Sequence, residues 1–285
     1  MFAPEDFGAY WQGTEAELAG LDPAPELTVI PMRSTFAYTY YECRLTSLGR
    51  WRTCGYFSKP NGSGPHPAVV FAPPYGSVAY PPPSWAREKY VTFTVRSRGM
   101  RGSDSPSAGF FPGFMTTGVE DRQRFIYRGV LCDLLRGFDY VAGRVDVDRA
   151  RIAIVGKDGV SSNLALAAGA LRPFVAGLAL TIPDWVNLSE SLPAAMTYPL
   201  AEFHHYFRAY PERREAALET MRYYDALSFA PHVCARVLLQ KAPASELAAA
   251  SLTASRGVEI FHDSGNPNFV HTQRQITWVA EVLEA

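Results

Sequence analysis

A chain of 285 residues whose 27 basic and 28 acidic side chains leave a formal charge of −1 carries no electrostatic footprint for nucleic acid or an anionic membrane. Its 47% hydrophobic content is ample for a sizeable core, so one α/β domain spanning residues 1–285 and acting on a small-molecule substrate is expected. The four cysteines, Cys43, Cys54, Cys132 and Cys234, are widely spaced with no C-x-x-C pair, which argues against a zinc site or a disulfide scaffold. Free thiols, no metal and no cofactor are expected. The opening Met-Phe-Ala-Pro-Glu-Asp lacks a basic stretch followed by an apolar core, and no apolar run approaches membrane-spanning length, so the expectation is a soluble cytoplasmic protein.

In chain order, Phe7, Tyr10, Trp11 and Leu18 recur at near-helical spacing ahead of Gly20 and predict a short amphipathic helix over residues 5–20. Phe36 to Leu48 and Arg50 to Phe57 flank Gly49 and are rich in aromatic and β-branched residues, which reads as an antiparallel pair at one edge of a sheet. Ala68 to Ala72 and Tyr90 to Val95 read as buried strands on either side of a proline-rich loop holding Pro74, Tyr75 and Gly76. A glycine-punctuated turn, Arg98 to Asp104, leads through a polar and aromatic loop into a long helical pattern between Met115 and Gly143. Beyond it, Val175 to Ile182, Val237 to Gln240 and Val258 to Phe261 read as strands, with helices over Glu246 to Ser255 and Val270 to Leu283. Residues 184–230, dense in aromatics and with two helical stretches, read as an inserted cap. Strands alternating with helices after residue 68 imply a mainly parallel central sheet flanked by helices.

One stretch organises this pattern. Arg151 to Val155 is a β-branched run entering a tight turn, Gly156-Lys157-Asp158-Gly159-Val160, from which the apolar segment Leu164 to Leu171 leaves as a helix. A strand, sharp turn and helix of this kind matches the elbow G-x-nucleophile-x-G, which presents a serine on a strained turn above the sheet. Here Asp158 fills the nucleophile's slot and Val160 replaces the closing glycine. Asp158 has two readings: a nucleophile or proton-transfer group, with burial raising and Lys157 lowering its pKa, or a carboxylate capping the helix N-terminus. Ser161 and Ser162, in the helix's first turn, read as capping residues.

The strings Glu5-Asp6-Phe7-Gly8-Ala9-Tyr10-Trp11, Arg98-Gly99, Pro112-Gly113-Phe114-Met115-Thr116-Thr117-Gly118, and Tyr223-Tyr224-Asp225 with Phe229-Ala230 resemble the acetyl xylan esterase and cephalosporin C deacetylase family. The resemblance covers nearly the whole chain and implies an α/β-hydrolase fold. It also implies a serine, histidine and aspartate triad, because a hydroxyl becomes nucleophilic only when an oriented imidazole takes its proton. At those positions the resemblance places Asp158, Asn266, and a residue at or near Ser245 and Glu246. His262 and His271 flank the histidine position. The family's oxyanion-binding tyrosine corresponds to Tyr75, so a carbonyl-polarising pocket is implied without a serine beneath it.

Three functions compete. The favoured one is a non-hydrolytic enzyme in which Asp158, Tyr75 and Lys157 carry proton-transfer chemistry such as dehydration, cyclisation or isomerisation. Its substrate would be a small, fairly apolar metabolite, with Gly159, Pro74, Trp185 and His204 lining the site. The others are a deacetylase with displaced or aspartate-based machinery and a non-catalytic binding protein. His204 and His205 point to different sides of a helix, so they are not expected to hold a metal. The resemblance further implies a homo-oligomer.

Overall fold

The computed structural model describes residues 2–76, 78–105, 112–261 and 267–284, with residues 267–272 described by their backbone only. His262 and Asn266, and the His271 side chain, lie outside that description. Among the described residues nine strands form one sheet: β1 (Glu26–Val29), β2 (Tyr38–Thr46), β3 (Arg52–Pro60), β4 (His66–Phe71), β5 (Val91–Arg96), β6 (Val147–Val155), β7 (Gly177–Leu180), β8 (Arg236–Gln240) and β9 (Gly257–Phe261). Their order is β1-β2-β3-β5-β4-β6-β7-β8-β9. The first three and β5 pair antiparallel, and β5 through β9 run parallel. Strand β1 is an addition to the predicted set, and all four of its residues are exposed.

Among the described residues ten α-helices accompany the strands: α1 (Phe7–Ala19), α2 (Ser84–Arg87), α3 (Ile126–Ala142), α4 (Gly159–Leu171), α5 (Leu188–Ser191), α6 (Ala201–Ala209), α7 (Arg214–Arg222), α8 (Ala226–Phe229), α9 (Pro243–Ser251) and α10 (Pro267–Leu283). Period-two alternation in the parallel strands divides the core. Ala68, Val70, Ile152, Ile154, Leu178 and Val237 point to the face covered by α3 and α4, whereas Val69, Ala153, Val155, Ala179 and Leu238 meet Trp278 and Val279 of α10. Helix α3 starts later than its periodicity predicts. Residues 113–125 instead form turns pinned at Gly118, whose φ is +71° and where a Cβ would sit 2.5 Å from the Arg124 carbonyl oxygen.

Two of the sequence strings turn out to be joints. The α1 stripe docks on the end of α7, with Trp11 Nε1 donating to the Tyr223 carbonyl at 3.1 Å, and on the turns before α3, with Tyr10 Oη donating to the Arg122 carbonyl at 2.6 Å. Asp225 accepts from the backbone N–H groups of Asn187, Leu188 and Leu227 at 2.9–3.1 Å, tying the start of α5 to α8. Arg98 makes a buried two-pronged ion pair with Asp133 of α3 and donates to the Leu48 carbonyl. That ion pair, more than the carbonyl bond, holds the Arg98 turn. All four cysteines are free thiols, three of them buried. No described helix is long and apolar enough to cross a membrane.

Strand order places the site. The chain leaves β4 toward β5 on one side and returns to β6 on the other, so β4 and β6 lie side by side at a topological switch point. Ligands of open parallel sheets bind in the crevice beyond the carboxyl ends of such strands. Tyr75 follows β4 and Asp158 follows β6.

Candidate active site

At the end of β6 the turn is held by backbone proximity. A Cβ on Gly156 would lie 2.5 Å from the Ser162 Cα, so only glycine lets the strand pass so close to the first turn of α4. Asp158 then occupies the N-cap of α4 with extended backbone, φ −142° and ψ 175°. Its Oδ1 accepts the Ser161 N–H at 2.9 Å, and the Ser161 hydroxyl accepts the Asp158 N–H at 2.9 Å, a reciprocal capping box. The tip is therefore a relaxed helix cap and not a strained nucleophile turn. Ser162 is equally committed, its hydroxyl paired with that of Thr181 at 2.9 Å.

Asp158 nonetheless lines a cavity. This space of about 330 Å³ is bounded by Phe71, Pro74, Tyr80, Thr94, Val155 and Lys157 with Asp158, and is mainly apolar. The buried Thr94 hydroxyl has no hydrogen-bond partner among the described residues. Burial raises the Asp158 pKa, outweighing the Ser161 hydrogen bonds that favour the anion. Lys157 does not oppose it. That residue is exposed, and its ammonium lies over the Phe71 ring, 5.2 Å from the centroid. Gly159 has a separate purpose: a Cβ there would fall 2.0 Å from the carboxyl carbon of Asp184. Asp184 is pushed up to about 6 by burial and by the negative charge of Asp158. Both carboxylates also raise the phenol pKa of Tyr127, after its own burial.

Tyr75 lines a neighbouring cavity of about 170 Å³ with Arg98, Met100, Phe114 and Tyr127. Pro74 borders both cavities. Asp158 and Tyr75 thus line different cavities that share Pro74, and the Tyr75 hydroxyl donates to Glu202 Oε1 of α6. Glu202 is 1% exposed, and its other oxygen accepts the Met115 N–H at 2.8 Å. Burial pushes its pKa up to about 7 against the opposing Met115 bond.

The acetyl xylan esterase (AXE1) family profile matches residues 1–254. The chain belongs to this family. It is 22% identical over 249 residues to the acetyl esterase Axe7A of Xylanibacter ruminicola, a match covering 83% of this chain and spanning about half, 55%, of that protein's length. Its fold is that of the acetyl xylan esterase from Paenibacillus sp. R4, with a TM-score of 0.86, 24% identity and coverage of 99% and 96% of the two chains. The acetyl xylan esterase 1 from Thermoanaerobacterium sp. JW/SL YS485 superposes with a TM-score of 0.82 at 20% identity, covering 98% and 94%. The α/β-hydrolase fold is thereby established.

Within this esterase-family scaffold the remaining candidate residues are placed as follows. Trp185 is in the packed core, its ring 4.7 Å from that of Tyr127. His204 directs Nε2 to the Ala195 carbonyl at 2.9 Å. Ser245 is fully buried in the first turn of α9 with no partner for its hydroxyl among the described residues, and the adjacent Glu246 pairs with Lys241 at 3.7 Å. Asn266 falls outside the described residues. Sequence reasoning passed over Asp184 and Glu202, which packing brings to Gly159 and Tyr75. The available signal was a glutamate on the buried side of α6, one helical turn before the buried Tyr206.

Proposed function

We propose that this family member is a non-hydrolytic enzyme that moves protons on a largely apolar metabolite reaching across Pro74, with Asp158 as general acid or base in one cavity and Tyr75 polarising a substrate oxygen in the other. What supports this reading is Asp158 at the turn between β6 and α4, a carboxylate that caps α4, is raised by burial and lines a mainly apolar cavity. Asp184 supports it. The negative charge of Asp158 adds to burial in raising Asp184 to about 6, so Asp184 holds its proton more readily and can serve as an acid beside an Asp158 base. Serine acyl transfer is disfavoured because Ser161 and Ser162 are spent on capping and on Thr181.

A second reading is favoured by family membership: deacetylation of an ester with Asp158 as nucleophile. One assay separates the two. Purified protein is expected to leave a chromogenic acetyl ester unhydrolysed above a trace, whereas robust turnover abolished by Asp158→Asn establishes the aspartate-nucleophile deacetylase. On a substrate found by screening small apolar carbonyl compounds, Asp158→Asn should remove most turnover while ligand affinity survives. Tyr75→Phe should cost about 10- to 1000-fold. Unchanged turnover in Asp158→Asn would eliminate the proton-transfer role.

A further inference from the structure

The proton inventory around Tyr75 is incomplete without Glu202. This carboxylate comes from a helix 127 residues away in sequence, forms no ion pair among the described residues, and gives its two oxygens to the Tyr75 hydroxyl and the Met115 N–H. An unpaired buried carboxylate is costly to keep charged. The chain makes room for it all the same: a Cβ on Gly113 would lie 2.1–2.3 Å from the Glu202 carboxyl atoms. The Pro112 to Gly118 string is thus a cradle, with Gly113 vacating space and Met115 supplying a donor. Charged groups on the surrounding elements are engaged elsewhere. Arg98 is held by Asp133, and Glu120 pairs with Tyr206 of α6 and with Arg213 beyond its end. His204 bonds to Ala195 and His205 to Arg208, while Asp158 and Asp184 act on Tyr127.

We propose that Glu202 is the proton store of Tyr75, and that the two work as one relay setting whether the phenol donates into the cavity beside Pro74. The inference rests on the reading that Tyr75 polarises a substrate oxygen. When Glu202 is ionised it holds the phenolic hydrogen, and Tyr75 presents only lone pairs to the cavity. When Glu202 is protonated, its O–H donates to the phenol oxygen and frees the Tyr75 hydrogen for the substrate. During reaction the Tyr75 O–H bond breaks as its proton passes to the developing oxyanion, and the Glu202 proton passes to the phenolate oxygen. A neutral tyrosine and a Glu202 carboxylate held by the Met115 N–H remain, and solvent restores the proton after turnover. Glu202 is then a positioning residue acting through Tyr75.

Fluorine-19 NMR of the ligand-free protein labelled with 3-fluorotyrosine tests the relay, with Tyr75→Phe identifying the Tyr75 resonance. That resonance should move with a midpoint of about 7 in the wild type, and the movement should vanish in Glu202→Gln, whose amide oxygen can still accept from Met115. A flat Tyr75 resonance from mildly acidic to mildly alkaline pH, or a titration that persists in Glu202→Gln, overturns the proposal. Should Glu202→Gln fail to fold, carboxyl-labelled glutamate in wild type and Tyr75→Phe gives the same answer. Loss of the phenol donor should raise the Glu202 midpoint, and an unchanged midpoint overturns the coupling. On any substrate turned over, kcat should fall about tenfold per pH unit above the midpoint and lose that limb in Glu202→Gln; a limb kept in the variant also counts against the relay. Because the NMR titrations use no ligand, failure of the Asp158 reading leaves them standing, and their failure leaves Asp158→Asn to be judged on turnover alone.

Discussion

At the scale of single residues, Asp158 serves two masters, and substitutions can separate them. As an N-cap it satisfies the Ser161 N–H, a task asparagine performs equally well, whereas alanine at such a position costs about 1 kcal/mol. As a carboxylate it is raised by burial, so its charge is unfavourable for folding. Asp158→Asn should therefore match or slightly exceed the wild type in urea unfolding, while Asp158→Ala should fall below it by about 1 kcal/mol. If the asparagine variant is as destabilised as the alanine variant, the cap is not what holds this turn. The stability of Asp158→Asn is also what makes its turnover interpretable.

At the scale of elements, glycine positions divide by what surrounds them. In α1, Gly13 is exposed and a methyl added there would have no atom within 4 Å, so Gly13→Ala should stabilise by roughly 1 kcal/mol through helix propensity. At the β6–α4 turn the same change on Gly156 drives a methyl into the Ser162 backbone, which no rotamer relieves, and should destabilise by about 1–3 kcal/mol or more. Denaturant midpoints of the two variants check this, and equal effects would contradict the described turn. These elements were also the readable ones. The β-branched run into Gly156, the alternation of β4 and the apolar face of α3 each carry a local period, so their type follows from the sequence alone. Strand β1 carries no such mark, since all of Glu26–Val29 is exposed and only pairing with β2 makes it a strand. Of the site, Asp158 and Tyr75 were found through motifs, but Asp184 and Glu202 are defined by tertiary packing. A glutamate in a helix reads as a solvated face until the helix's partner is known.

At the scale of the whole molecule, the buried carboxyl groups give stability a pH dependence whose sign can be worked out. Glu202 is raised from an ordinary value near 4.5 to about 7, and Asp184 and Asp225 from near 3.8 to about 6, all chiefly by burial. Between each pair of values the folded chain binds more protons than the unfolded chain, so stability falls as pH rises. These contributions are fully present below about pH 4 and are lost by the time pH passes 7. Opposing them, Asp146, paired with Arg144 and Lys59, and Asp148, paired with Arg151, have lowered pKa values, so their contributions are present at neutral pH and lost in acid. The balance places maximum stability on the acidic side of neutrality. Urea unfolding should thus give a higher midpoint in mildly acidic buffer than in mildly alkaline buffer, and Asp184→Asn combined with Glu202→Gln should flatten the decline without abolishing it, because Asp225 remains. A midpoint that rises steadily from acid to alkali in the wild type, or a decline undiminished in the double variant, would show that these carboxyls are hydrated in solution and would remove the physical basis for using them as acids near neutral pH.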